Sequence, residues 1–310
     1  MRHILTCPVH HYATISPLHQ FAMPKLSKNL LYTLNNGVKI PANGFGLYKT
    51  EKHEAAAVVA EALATGYRHF DTAKFYHNEE EVAKGISSYL KSHPEIKRSD
   101  IFYTTKIWQD DHGYEKAKRA IEVSLKKAES LGYIDLFLIH SPLSDKEGRL
   151  GTWKALQEAV VNGSVKSIGV SNYGIHHLEE LFSWEGLTIK PVVNQVELHP
   201  WIPRIKIREY CKSKDILMEA YAPITRGKKF DDPTLVKIAE KHGCSPADVL
   251  IRWSFDQGFI VLVKTSNLKR IAGNFNVLDR VTLDKEDAGL LDMPESNEKC
   301  TFWDPTTYEG

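Results

Sequence analysis

Two hydrophobic periods alternate along this chain. Short runs rich in β-branched and aromatic residues have the length and composition of buried strands. They fall at Phe45–Tyr48, Arg68–Thr72, Ile101–Ile107, Ile134–His140, Val165–Ser171, Val192–Leu198, Leu217–Ala222 and Phe259–Lys264. Between them apolar residues recur at helical spacing, which places helices at Glu54–Thr65, Glu79–Leu90, Tyr114–Leu131, Thr152–Asn162, His176–Ser183 and Arg204–Ser213. Two more, Asp232–His242 and Pro246–Gln257, precede the last strand. Gly66, Gly132, Gly163, Gly243 and Gly258 stand where helices should stop. Ahead of all this, Leu31–Ile40 carries an Asn36-Gly37 turn between two apolar runs, the mark of a β-hairpin.

Strand–helix alternation at this steady spacing predicts parallel strands with helical crossovers. The fold expected is α/β: a (β/α)8 TIM barrel, its bottom closed by the amino-terminal hairpin. A doubly wound open sheet is the competitor, but Gly44-Phe45-Gly46 lacks the third glycine and the helix start of a dinucleotide fingerprint. One barrel domain is expected over residues 23–310, with residues 293–310 as its tail. Residues 1–22 hold no Asp or Glu, four His and a single Arg, and no long apolar run. A disordered extension is expected there, and mitochondrial targeting is disfavoured because one Arg is too few.

Composition narrows the class. The 310 residues are 42% hydrophobic and 25% charged, with a net charge of +1. That balance gives no electrostatic case for nucleic acid or a charged membrane. The four cysteines (Cys7, Cys211, Cys244 and Cys300) show neither C-x-x-C nor metal spacing, so free thiols and a cytoplasmic location, nuclear access included, are expected. A monomer or dimer acting on a small molecule, without a metal, is expected.

The candidate chemistry gathers at strand ends, where parallel barrels place it. Asp71, Lys106 and His140 close consecutive strands, and Tyr76 lies just beyond Asp71 in Gly66–Glu80. Taken singly, each is as well explained by a cap, a surface aromatic, a solvated strand end or a core histidine. Together they describe a proton donor. A phenol with pKa about 10 is a weak acid at neutral pH. A neighbouring ammonium held by a carboxylate is expected to lower that pKa, while a neutral imidazole orients a carbonyl. In the loop after Asp71, Asn78 is expected to cap the next helix.

Later strand ends supply amide, hydroxyl and aromatic groups in Ser171, Asn172, Gln195 and Tyr221, suited to a nicotinamide. Lys264-Thr265-Ser266-Asn267-Leu268-Lys269-Arg270, leading to Asn274, packs cations and hydroxyls at a strand-to-helix junction, a phosphate site.

Over residues 28 to 295 the sequence resembles the aldo-keto reductases, most closely their fungal cytosolic members. The matching stretches are Gly66–Glu79, which follows G-Y-R-x-x-D-T-A-x-x-Y-x-N-E, then Leu138–Pro142, Gly169–Tyr173 and Lys264–Phe275. The resemblance implies Tyr76 as acid, Lys106 and Asp71 as its tuners and His140 as orienter. It also implies Ser171, Asn172, Gln195 and Tyr221 at the nicotinamide, and Lys264, Thr265, Arg270 and Asn274 at the adenosine 2′-phosphate and adenine of NADPH. Tyr48, Trp108 and Ser141 would line the substrate pocket. Ser141 stands where many relatives carry Trp, and Tyr48 replaces another Trp. Gly273 replaces a Glu common in relatives, so NADH is expected as a secondary cofactor. Two other classes bear consideration: a cofactor-binding regulatory subunit, and a metal-dependent hydrolase built on His69, Asp71, His140 and His199.

Overall fold

In the computed structural model, residues 25–310 are described; the expectation for residues 1–22 lies outside them. The chain opens with β1 (Leu31–Thr33) and β2 (Lys39–Pro41), antiparallel with Leu31 opposite Pro41. The turn between them has Gly37 at φ 86°, its amide donating to Leu34 O at 2.8 Å. Glycine takes that left-handed position without the steric penalty a side chain brings.

Then come β3 (Asn43–Gly46), α1 (Lys52–Thr65), β4 (His69–Asp71), α2 (Glu79–Ser92), β5 (Phe102–Ile107), α3 (Tyr114–Lys127) and β6 (Ile134–Ile139). They are followed by α4 (Lys146–Val161), β7 (Val165–Ser171), α5 (Ile175–Ser183), β8 (Val193–Glu197), α6 (Ile205–Ser213) and β9 (Leu217–Tyr221). The chain continues through α7 (Pro233–Lys241), α8 (Pro246–Asp256), β10 (Ile260–Val263), α9 (Leu268–Phe275), α10 (Val277–Arg280) and α11 (Lys285–Leu290). Strands β3 to β10 pair in parallel and in order, and β10 pairs β3, closing an eight-stranded barrel. The expected fold is the observed one.

Period-2 alternation sorts the strand residues. Outward-facing Phe45, Phe70, Tyr103, Phe137 and Val170 pack under the helices in the main core. Inward-facing residues divide the barrel lengthwise. Near its amino end Phe102, Leu136, Leu138, Val193 and Ile260 form an apolar layer with the hairpin's Leu34 and Ile40. Asn35 Nδ2 donates to Pro191 O (2.9 Å) and Asp215 O (3.1 Å), and Asn36 Nδ2 to Ser167 Oγ (3.0 Å), so the hairpin plugs this end. Toward the carboxyl end the interior turns polar, with Asp71, Lys106, Gln195 and Glu219 all buried.

Three local expectations need correction. The first barrel strand is Asn43–Gly46, not Phe45–Tyr48, which leaves Tyr48 in the loop beyond it. Gly44 belongs inside this strand because a Cβ there would meet Leu262 Cδ2 at 2.5 Å and His69 Nδ1 at 2.9 Å. Helix α4 begins at Lys146 rather than Thr152. Gly148 and Gly151 weaken the helical signal, yet the Asp145 cap accepts from Gly148 N at 2.7 Å and starts the helix there. Asn78, finally, precedes α2 without capping it through its side chain. Its carboxamide instead accepts from Thr72 Oγ1 (2.6 Å) and donates to Leu47 O (3.0 Å) and Thr50 O (2.9 Å), tying the first two strand-end loops together. The five glycine stops all have positive φ, between 58° and 123°.

Candidate active site

At the carboxyl ends of the strands lies a cavity of about 630 Å³. Lys106 on β5 points into the barrel beneath it and is completely buried. Its ammonium donates to Asp71 Oδ1 at 2.6 Å, Thr72 O at 2.9 Å and Tyr76 Oη at 3.3 Å. Asp71 ends β4, and its other oxygen accepts from Gln195 Nε2 at 2.9 Å. Tyr76 sits on the short helical turn Lys74–Tyr76, which the backbone enters extended and leaves through His77 at φ 58°. His140 follows β6, its ring 5.5 Å from that of Tyr76 and edge-on to it. Asp71, Tyr76 and His140 line the cavity, with Lys106 reaching them from below.

Electrostatics assign protonation states. Burial, then the charge of Lys106, holds the His140 imidazole well below its ordinary pKa, so it is neutral near pH 7. Its Nδ1 is buried without a hydrogen-bond partner among the described residues. Burial, reinforced by Asp71, raises the Tyr76 phenol well above the usual tyrosine value. The net shift is thus upward, not downward as expected, because burial dominates it. With Asp71 at 2.6 Å, the ammonium already has its counter-ion, and the pair acts on Tyr76 more as a dipole than as a charge. The phenol therefore keeps its proton at neutral pH, as a donor must.

Behind this group lies a second buried acid that sequence reading did not single out. Glu219 on β9 accepts from Gln195 Nε2 at 2.8 Å and approaches His69 Nε2 at 3.5 Å. Burial, with Asp71 adding to it, pushes its pKa up to about 8. Burial holds His69 down at about 3.

The cofactor candidates divide. Ser171, Asn172, Gln195, Tyr221, Lys264 and Arg270 all line the cavity. Asn172 takes φ 60°, a conformation asparagine tolerates better than most residues. There its side chain donates to His140 O at 3.0 Å and accepts from Tyr221 Oη at 2.8 Å. Thr265 and Asn274 are off the cavity wall. The Thr265 hydroxyl turns back to accept from Asn267 N at 3.1 Å, and Asn274 lies one turn beyond Arg270 on α9.

Of the substrate-pocket candidates, Tyr48 and Trp108 line the cavity and Ser141 does not. Ser141 is fully buried, its hydroxyl donating to Gln109 Oε1 at 2.9 Å. The aromatic surface comes instead from Phe75, stacked on Trp108 at 4.0 Å, and from Trp303 of the tail, 5.9 Å from Trp108. Lys49, Arg226, Phe230, Thr301 and Phe302 also line the cavity. Barrel logic could have flagged the Arg226 loop, since it follows a strand end; the tail follows no strand end. The four histidine and aspartate positions weighed for a metal do not form a ligand cluster among the described residues. The group that does converge is Glu197, His199 and Cys300.

A closed parallel barrel with a buried Lys–Asp pair under a tyrosine and a neutral histidine is suited to handing a proton to a reacting oxygen. Comparison with known proteins agrees. The sequence pattern of the Aldo/keto reductase family matches residues 42–293. The uncharacterized oxidoreductase YJR096W of Saccharomyces cerevisiae is 47% identical over 276 residues, covering 89% of this chain and 97% of its own. A Hypocrea jecorina protein named glycerol 2-dehydrogenase (NADP(+)) is 40% identical over 278 residues, covering 79% of this chain and 86% of its own. The crystal structure of an aldo/keto reductase from Brucella melitensis superposes with a TM-score of 0.78 at 42% identity, covering 84% of this chain and 98% of that one. The chain belongs to the aldo/keto reductase family, and it is an oxidoreductase acting on carbonyl and CH–OH groups.

Proposed function

We propose that the protein reduces aldehydes and ketones to alcohols with NADPH, NADH serving as a secondary cofactor, and that Tyr76 supplies the proton. The observation that carries this reading is the Lys106 ammonium, 2.6 Å from Asp71 and 3.3 Å from the Tyr76 hydroxyl, at the floor of an aromatic cavity. The cavity fits the cofactor. Lys49, Arg226, Lys264 and Arg270 line it, against Asp71 as the one acid among the described residues, and Asp71 is already paired with Lys106. Lys264 and Arg270 would hold the phosphates, and Ser171, Asn172, Gln195 and Tyr221 the nicotinamide end. NADPH bound there would supply a hydride from nicotinamide C4 to the carbonyl carbon.

The protein's own groups manage the oxygen. His140, neutral and on the cavity wall, orients the carbonyl by a hydrogen bond from a ring N–H. As charge develops on that oxygen, the Tyr76 O–H donates its proton, and the resulting phenolate is met by Lys106. Asp71 keeps the ammonium in place, and Gln195 and Thr72 O fix the pair. The relative named as an NADP(+) glycerol dehydrogenase supports the cofactor and the alcohol–carbonyl couple. Turnover of NADPH with a panel of aldehydes and α-dicarbonyls tests the reading; a protein that reduced none of them would overturn it.

A further inference from the structure

The carboxyl-terminal tail reaches the cavity, and one buried carboxylate collects its hydrogen bonds. Glu197 ends β8 and is 1% exposed. Its Oε1 accepts from Cys300 N at 2.5 Å and from Thr301 N at 3.3 Å, and its Oε2 accepts from the Thr301 hydroxyl. His199 Nε2 lies 3.0 Å from Oε1 on the other side. Burial alone would raise this acid, but the hydrogen bonds from His199, Cys300 and Thr301 outweigh it and hold the pKa at about 2. Glu197 is therefore ionised near neutral pH and meets tail donors with both oxygens.

The anchors bracket two aromatic residues. On one side of them lies the Glu197 contact; on the other, Asp304 pairs with Arg204 at 2.9 Å. Upstream, Ser296 Oγ and Glu298 N both donate to Trp201 O, at 2.6 and 2.8 Å. All three attachments are to β8 or the segment between β8 and α6. Between them Phe302 and Trp303 face the cavity, Phe302 being 91% exposed and Trp303 lying 6.3 Å from the His140 ring. Glu197, His199 and Cys300 also have the composition of a metal cluster. Yet both carboxylate oxygens are already engaged by the tail's own N–H and O–H groups.

We propose that Glu197 is a positioning residue that latches the tail over the cavity, and thereby sets the KM of substrates large enough to touch Trp303. The kinetic part rests on the carbonyl-reductase reading; the latch itself does not. Glu197→Gln keeps the shape but removes the charge, so every hydrogen bond of the set loses its charge assistance.

Two measurements on the full chain test it. By hydrogen–deuterium exchange, peptides covering residues 296–306 should exchange about tenfold faster in Glu197→Gln, with the barrel strands unchanged. With NADPH, KM for an aryl aldehyde should rise about fivefold at constant kcat, while a short α-dicarbonyl shifts less than about twofold. Thr301→Val, which removes one donor and leaves the carboxylate, should move both readouts the same way by less, and it keeps the test open if Glu197→Gln fails to fold. Unchanged tail exchange, acceleration spread over the strands, or equal KM changes for both substrates would overturn the latch. A wild type that reduces no carbonyl would defeat the reductase reading instead, and the exchange experiment would still decide the latch.

Discussion

Replacing Lys106 by Met tests the chemistry at its most buried point. Methionine is of similar length and fills the space, but it removes the ammonium 3.3 Å from the Tyr76 hydroxyl. Taken alone, a unit charge at that distance from a phenolate is worth about 5 kcal/mol at an effective dielectric of about 20. Asp71, 2.6 Å from the same ammonium, offsets part of this. What remains is a charge-assisted hydrogen bond to the developing phenolate, about 1.5–3 kcal/mol. At 1.36 kcal/mol per factor of ten, kcat should fall about 10- to 150-fold. Because Lys106 touches no open part of the cavity, NADPH affinity should stay within about threefold of wild type. The assay is steady-state NADPH oxidation with one good aldehyde, alongside fluorescence titration of NADPH. Removing one partner of a buried pair also strains Asp71, so the folding midpoint should be recorded with the kinetics. A Lys106→Met variant with wild-type kcat would refute the role given to the lysine. So would a kcat loss that only mirrored lost cofactor binding.

Two further perturbations probe other parts of the account. Arg270 lines the cavity and has no ion-pair partner among the described residues, so Arg270→Ala should weaken NADPH about 10- to 150-fold and NADH far less, measured by titration with each cofactor; equal losses would sink the phosphate assignment. Glu219, with its pKa raised from 4.5 to about 8, binds a proton in the folded state that the unfolded chain has lost. Stability should therefore fall as pH rises, by at most about 1.4 kcal/mol per unit. Below about pH 6.5 the depressed His69 works in the opposite sense, so the loss should show between pH 6.5 and 8. Urea midpoints across that window should slope in the wild type and flatten in Glu219→Gln; parallel slopes would contradict the assignment.

Much of the architecture was legible because it depends on local signals. Five glycines at positive φ end helices where sequence places the stops, and the β-rich runs at Ile134 and Val165 survive as β6 and β7 nearly residue for residue. The convergence of Asp71, Tyr76, Lys106 and His140 was legible too, because strand ends in a closed barrel meet at one rim. What escaped depended on side chains choosing among partners. Asn78 offered a cap in sequence, yet two strand-end loops present carbonyls that its amide reaches instead. Ser141 and Thr265 have hydroxyls that find neighbours within the protein and turn from the cavity. Glu219 is one alternating residue in a strand by sequence; its register opposite Gln195, whose amide also bonds Asp71, makes it a buried acid at the site. The tail carries no period at all, and its path is set by Glu197, about a hundred residues earlier.

The central claim is that Tyr76 delivers the proton in carbonyl reduction by NADPH, and Tyr76→Phe beside the wild type tests it most directly. Phenylalanine keeps the ring packed against Tyr48 and His140 and deletes only the hydroxyl. Following NADPH consumption with aldehydes and α-dicarbonyls, the account predicts clear turnover by the wild type. It predicts loss of about a hundredfold or more in the variant with NADPH binding retained. A Tyr76→Phe variant that still reduced carbonyls at the wild-type rate would contradict it.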